Sequence, residues 1–207
     1  MHPYEINDAL EEELCKYTGA PFCVLVNSCT SALFLCCKYL QVSTVVLPTH
    51  TYVGVPMSVI NAGGKCKFLP FEWLQLGHYM LVPYPIIDSA RVIYRNMFDD
   101  LIRIYSLANN AFICLSFQAY KHIPIGEGGA ILTNNSQAVP ILRKMRNDGR
   151  TDKVEAKDDI FDTFGFHMWM SPDNAARGLW LMGNIKDSYE PLDEPNYRDL
   201  SQVELFK

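Results

Sequence analysis

Residues 22–33 read Phe22-Cys23-Val24-Leu25-Val26-Asn27-Ser28-Cys29-Thr30-Ser31-Ala32-Leu33. The unbroken apolar run Phe22 to Val26 suits a strand covered on both faces, since a strand with one wet face alternates. A polar turn follows, and Ser28 or Thr30 opens a helix that runs to about Leu40. The first N–H groups of a helix have no intrahelical partner and carry partial positive charge. With serine and threonine hydroxyls added, such a turn suits a phosphate or another anion. Simple helix capping explains the same residues and, for the turn alone, is the commoner case.

The pattern repeats outward from this unit. Upstream, residues 7–17 read as a helix with Asn7 as its cap, Leu10, Leu14 and Tyr17 on one face, and Gly19 just beyond. Downstream, Thr44–Leu47 is a buried-type strand and Val53–Asn61 a helix, although Pro56 opposes it. Gly63-Gly64 ends that helix, and Lys65–Leu69 is a third strand. Further strands fall at Pro85–Asp88, Phe112–Phe117 and Gly129–Thr133. A helix covers Ser136–Asp148, with Pro140 in its first turn and Gly149 as its stop. The expected fold class is α/β, three-layered, with a mostly parallel sheet. Residues 1–150 form its α/β domain. Residues 151–207 hold an exposed loop with seven charged side chains at 151–163, one helix at 172–185 and a tail.

Composition excludes several classes. Of 207 residues, 49% are hydrophobic and 20% charged, with 12 Gly and 12 Pro, so disorder, collagen-like repeats and coiled coils are ruled out. A net charge of −5 argues against nucleic-acid binding through bulk positive charge. No run of 18 apolar residues occurs, so no membrane span is expected, and the N-terminus lacks a signal-peptide core. The seven cysteines are odd in number, lie partly inside apolar runs and include no C-x-x-C pair. They read as reduced buried thiols of a cytoplasmic protein, with no metal site.

Open α/β sheets place ligands at the carboxyl ends of their strands. At those ends stand Ile86-Ile87-Asp88-Ser89-Ala90 and Leu115-Ser116-Phe117-Gln118-Ala119-Tyr120-Lys121, the latter followed by Gly126-Glu127-Gly128-Gly129. An acid ending an apolar strand needs a cationic or N–H partner, or else caps a turn. A lysine in a dry site loses its proton and attacks carbonyls, whereas most lysines are plain surface charges.

The order of these segments resembles the DegT/DnrJ-type sugar aminotransferases, fold-type I enzymes dependent on pyridoxal 5′-phosphate (PLP). The resemblance spans about residues 10–183. It rests on Glu13 to Gly19, Ser28-Cys29-Thr30-Ser31-Ala32-Leu33, Pro48-Thr49-His50-Thr51-Tyr52, Asp88-Ser89-Ala90, Ser116 to Lys121, Met145 to Gly149, and Met170-Ser171 with Ala175-Ala176. It implies Lys121 as the amine that condenses with PLP and later shuttles a proton, and Asp88 as partner of the pyridine nitrogen. It implies Tyr52 stacked on the ring, with Thr30, Ser31 and Ser116 on the phosphate. Arg91 and His167 stand where the family places a residue for the phenolic oxygen and an asparagine lent by a neighbouring subunit. Gln118 and Cys29 replace a family histidine and glycine.

The implied protein is an aminotransferase moving an amino group, with glutamate as the expected donor, to a keto group of a nucleotide-linked sugar. It works as a homodimer with a shared site. The chain is shorter than the family pattern. Only sixteen residues separate Leu69 from Ile86, and the small C-terminal domain is largely missing. Two alternatives follow from that: a PLP enzyme of another reaction type, such as elimination, decarboxylation or amination of a nucleotide-related substrate, or a non-catalytic binding subunit. The basic residues Arg143, Lys144, Arg146, Arg150 and Lys153 read either as a solvated helix face or as a seat for nucleotide phosphates.

Overall fold

Phe22–Val26 is the edge strand β1 of a five-stranded sheet, and its alternate side chains enter two different cores. The computed structural model describes residues 4–108, 110–193 and 196–206. The elements in order are α1 (Glu5–Thr18), β1, α2 (Cys29–Tyr39), β2 (Thr44–Pro48), α3 (Gly54–Asn61), β3 (Lys65–Leu69), β4 (Tyr79–Met80), β5 (Ile86–Asp88), α4 (Met97–Ile104), β6 (Phe112–Ser116), β7 (Gly129–Thr133), α5 (Ala138–Arg146) and α6 (Pro172–Met182).

The main sheet has the order β1-β7-β6-β5-β4. On one face, Val24, Val26, Phe112, Cys114 and Ile131 pack against α2, α3 and α5. On the other, Cys23, Leu25, Ile113, Leu115 and Leu132 pack against α1, α4 and α6. That period of two, with both faces apolar, produces the three layers. The expected mostly parallel arrangement needs correction. β1, β6 and β5 share one direction, but of the hydrogen-bonded pairs in the main sheet β5–β6 is parallel, while β7 is antiparallel to both β1 and β6, and β4 to β5. β2 and β3 form a separate parallel pair, tied on by the Val46 N–H donating to the Val82 carbonyl at 2.8 Å. Continuous apolarity reports two covered faces and is silent on strand direction.

Local corrections have similar causes. Asn7 does not cap α1. It lies inside the first turns, buried, and its amide donates to the Met170 carbonyl at 2.9 Å. Gly19, with φ +78°, closes that helix as expected. Ser28 caps α2, its hydroxyl accepting from the Ser31 N–H at 3.0 Å. α4 has no counterpart among the expected elements. It is amphipathic, with Met97, Phe98 and Leu101 buried on one face. The last twenty residues are no free tail: Leu200 and Phe206 are buried, and the Leu200 N–H donates to the Thr49 carbonyl at 2.8 Å.

Charge also ties α1, β1 and α5 together. Glu11 is 4% exposed and Arg146 6%. Glu11 Oε1 accepts from Arg146 Nη1 at 2.8 Å and from the Leu25 N–H at 2.9 Å, while Arg143 reaches Oε2. Arg146 also donates to Asp152 and to the Leu25 carbonyl. Lys144, Arg150 and Lys153 pair with Asp162, Asp159 and Asp8. The basic stretch is thus internally neutralised. Breaking a buried pair from one side leaves an uncompensated charge. Glu11→Ala should therefore lower the unfolding free energy by about 3–5 kcal/mol in urea titration. Lys153→Ala, at an exposed pair, should cost under about 1 kcal/mol. Equal small losses from both would refute a structural role for the buried network.

Candidate active site

β7 presses against the start of α2 so closely that a Cβ on Gly129 would lie 2.5 Å from the Ser28 carbonyl carbon. Only glycine permits that approach, and it fixes the Ser28–Ser31 turn over the sheet edge. The Ser31 hydroxyl donates to Asn27 Oδ1 at 2.6 Å and lies 2.9 Å from the Ser28 hydroxyl. A cavity of about 510 Å³ opens in front of this turn. Thr30 and Ser31 line it from α2, Ser116 from the end of β6, and Asp88 from the end of β5. Tyr52, Arg91 and Lys121 complete the set, so seven of the eight expected site residues share one cavity.

The loops that carry them are held by backbone bonds. Phe117 N–H donates to Gly128 at 2.9 Å, Gly126 N–H to Phe117 at 3.1 Å, and Lys121 N–H to Gln118 at 2.9 Å. The resulting closed turn presents Lys121 to the cavity. A Cβ on Gly54 would meet the Tyr52 ring at 2.7 Å and Thr30 Oγ1 at 2.9 Å. That glycine therefore lets Tyr52 and Thr30 stand close together.

Burial sets the electrostatics. Asp88 is 4% exposed, and loss of water raises its carboxyl above the usual range. The Ala90 N–H, bound to Oδ1 at 3.0 Å, the Tyr79 hydroxyl and the Lys121 charge oppose that rise. Burial likewise lowers the Lys121 ammonium from its ordinary value, with Arg91 adding to the effect and Asp88 opposing it. One cavity thus holds a carboxyl reluctant to ionise and an amine readier than usual to be neutral.

Two expected residues are placed differently. The Arg91 guanidinium is buried, donating from Nη1 to the Leu74 carbonyl at 3.1 Å and from Nη2 to the Leu192 carbonyl. Its Cζ lies 5.5 Å from the Trp73 ring centroid. It therefore joins the 70s loop to the C-terminal stretch at the cavity wall. His167 lies outside this cavity, exposed, with Nδ1 2.9 Å from Asp148 Oδ2. Trp73 and Tyr197 line the cavity and were not among the expected residues. Their signal was weak: single aromatics in stretches without helix or strand periodicity. Among the described residues no group of His, Cys, Asp and Glu could hold a metal, and no helix is long and apolar enough to cross a membrane.

The fold is a layered α/β sheet whose strand ends bring a lysine and a carboxylate to one cavity. Residues 1–73 and 105–191 match the DegT/DnrJ/EryC1/StrS aminotransferase family, and the chain belongs to it. A UDP-4-amino-4,6-dideoxy-N-acetyl-beta-L-altrosamine transaminase of Campylobacter jejuni is 23% identical over 225 residues, covering 90% of this chain and 59% of that protein. The chain thus spans under two thirds of the relative's length. The crystal structure of S. venezuelae DesV, in complex with a ketimine intermediate, superposes with a TM-score of 0.68 at 20% identity, over 87% of this chain and 57% of DesV. Helicobacter pylori PseC, an aminotransferase of pseudaminic acid biosynthesis, gives 0.65 at 18% identity over 87% of this chain and 58% of its own. NtdA from Bacillus subtilis, solved with bound PMP, gives 0.66 at 18% identity over 87% and 48%.

The Asp88 environment makes a signed prediction for the protein without added ligand. A carboxyl raised on folding stabilises the fold below its unfolded pKa, and that contribution is lost as pH rises through the folded value. Asp88→Asn should therefore gain in thermal midpoint relative to the parent as pH rises from about 3.5, below the ordinary carboxylate value, to about 7.5. A difference that is flat or shrinking with pH would show that Asp88 is not desolvated.

Proposed function

We propose that this chain acts as a PLP-dependent aminotransferase, moving an amino group from an amino acid, glutamate first among them, to a keto group of a nucleotide-linked sugar. The observation that carries the reading is the convergence of Lys121 and Asp88 on one cavity beside a hydroxyl-lined helix start. The residues fit the cofactor: a cavity of about 510 Å³, an anion cradle at one side, and a desolvated acid and amine.

When bound, PLP supplies an electron sink for charge developing at a substrate carbon. The N-terminal N–H groups of α2, with the hydroxyls of Thr30, Ser31 and Ser116, would hold its phosphate. Asp88 would pair with the protonated ring nitrogen, which would compensate its own burial. Tyr52 would pack on the ring. Lys121 would act as the acid–base group, a role helped by its lowered basicity. A second copy completes the site, lending His167 to the phosphate. Exposed Ile160, Phe161 and Phe164 on the same loop region support such a contact. We place this activity in the cytoplasm, on the strength of the free cysteines.

Borohydride reduction of the PLP-loaded protein should leave the cofactor mass on the peptide containing Lys121. Lys121→Ala should abolish that label and cut turnover at least about 100-fold. Incubation with glutamate should convert the bound cofactor to its amine form. Labelling that survives in Lys121→Ala would overturn the assignment of the amine, and no conversion by any amino acid would overturn aminotransfer.

A further inference from the structure

β4 is two residues long, yet it carries the closest side-chain partner of the acid at the end of β5. Tyr79 pairs with Asp88 across the antiparallel β4–β5 ladder. Directly opposed residues of such a pair project from the same face of the sheet, with Cβ atoms about 5 Å apart. Tyr79 is 2% exposed, and Asp88 and Thr51 are buried beside it. The Tyr79 hydroxyl lies 2.7 Å from Thr51 Oγ1 and hydrogen-bonds the Asp88 carboxyl. Its ring packs against Trp73 at 4.5 Å and Phe71 at 6.3 Å, centroid to centroid. Trp73 is fixed in turn by its indole N–H, which donates to the His50 carbonyl at 2.9 Å. Tyr79 falls outside both segments that match the family, so this contact comes from the chain's own β4.

Donor counting orients the three groups. An ionised carboxylate only accepts, and a phenol has one proton to give. When Tyr79 donates to Asp88, the Thr51 hydroxyl must donate to Tyr79, so the bonds run from Thr51 through Tyr79 to Asp88. Hydrogen bonds in such a chain strengthen one another, most of all where water is excluded. The other titratable groups around Asp88 leave room for this donor. Burial keeps the Cys29 and Cys114 thiols and the Tyr197 phenol neutral, and Lys121 acts as a nearby charge. The Arg91 guanidinium is turned to the Leu74 and Leu192 carbonyls. We propose that Tyr79 is a positioning residue: braced by Thr51, it donates to the Asp88 carboxylate, stabilises its charge and fixes the orientation in which it would meet the ring nitrogen of PLP. The proposal rests on the aminotransferase reading for the cofactor and adds the residues that keep the acid effective in a dry site.

The test is a double-mutant cycle of Tyr79→Phe and Asp88→Asn on the full chain without added cofactor, read as thermal midpoints from about pH 3.5 to about pH 7.5. A donor to the carboxylate lowers its folded pKa, so removing the donor costs stability that grows as pH rises through the carboxyl range. Tyr79→Phe should therefore lower the midpoint by about 4 °C more at the upper end of that range than at the lower. In the Asp88→Asn background this pH-linked difference should vanish, whereas a packing loss would persist unchanged. Thr51→Val, which removes the brace and keeps the phenol, should shift the midpoint in the same direction by less, and carries the test if Tyr79→Phe does not fold. With its acid less firmly charged, the PLP-loaded Tyr79→Phe protein should show the pH midpoint of the cofactor's visible absorption raised by about one unit. A penalty flat with pH, a pH-linked penalty that survives without Asp88, or an absorption midpoint that does not move would overturn the proposal. A pH-linked coupling in a protein that takes up no PLP would uphold the Tyr79–Asp88 link and overturn the aminotransferase reading.

Discussion

A buried acid and a partly buried amine share one cavity, and the rest of the molecule holds them there. Asp88 ends β5, and the closed turn that presents Lys121 leaves β6, its parallel hydrogen-bonded neighbour. Parallel neighbours bring their carboxyl ends to the same edge, so both groups arrive at one place without any long reach. Their desolvation is a standing cost, which a charged ring and a carbonyl would offset on binding.

The cradle on the facing side depends on a backbone contact rather than a side chain. Gly129 lets β7 touch the Ser28–Cys29 peptide, and so sets the distance between the α2 N-terminus and the sheet. β7 is antiparallel to both neighbours, which places its first residue, not its last, at the active edge. The mixed sheet is therefore part of how the site is made: a parallel β7 would have brought Thr133 there instead.

Much of this was legible in local sequence. β3 and β7 begin and end where composition places them, and β1 does too, because apolar runs bounded by turn residues are sharp signals. The motifs around Ser28, Asp88 and Lys121 were each ambiguous in isolation, and it was their order, resembling a known family, that joined them into one site. Trp73 and Tyr197 were not legible, since they lie in irregular stretches far apart in sequence and their rings stack, 6.4 Å between centroids, only in the folded chain. Asp88 itself lies between the two segments that match the family, so its place in the cavity comes from strand pairing.

The chain's own residues determined that it forms layered helices and strands, that both faces of the sheet are dry, and which hydroxyls, acid and amine stand at element ends. These are consequences of short-range sterics and of apolar periodicity. Strand direction, the conversion of Asn7 from cap to buried donor, and the stacked Trp73 and Tyr197 at the cavity wall were decided only in the tertiary structure. Each depends on pairing between segments far apart in sequence, where the free energy resides in contacts that no local window contains.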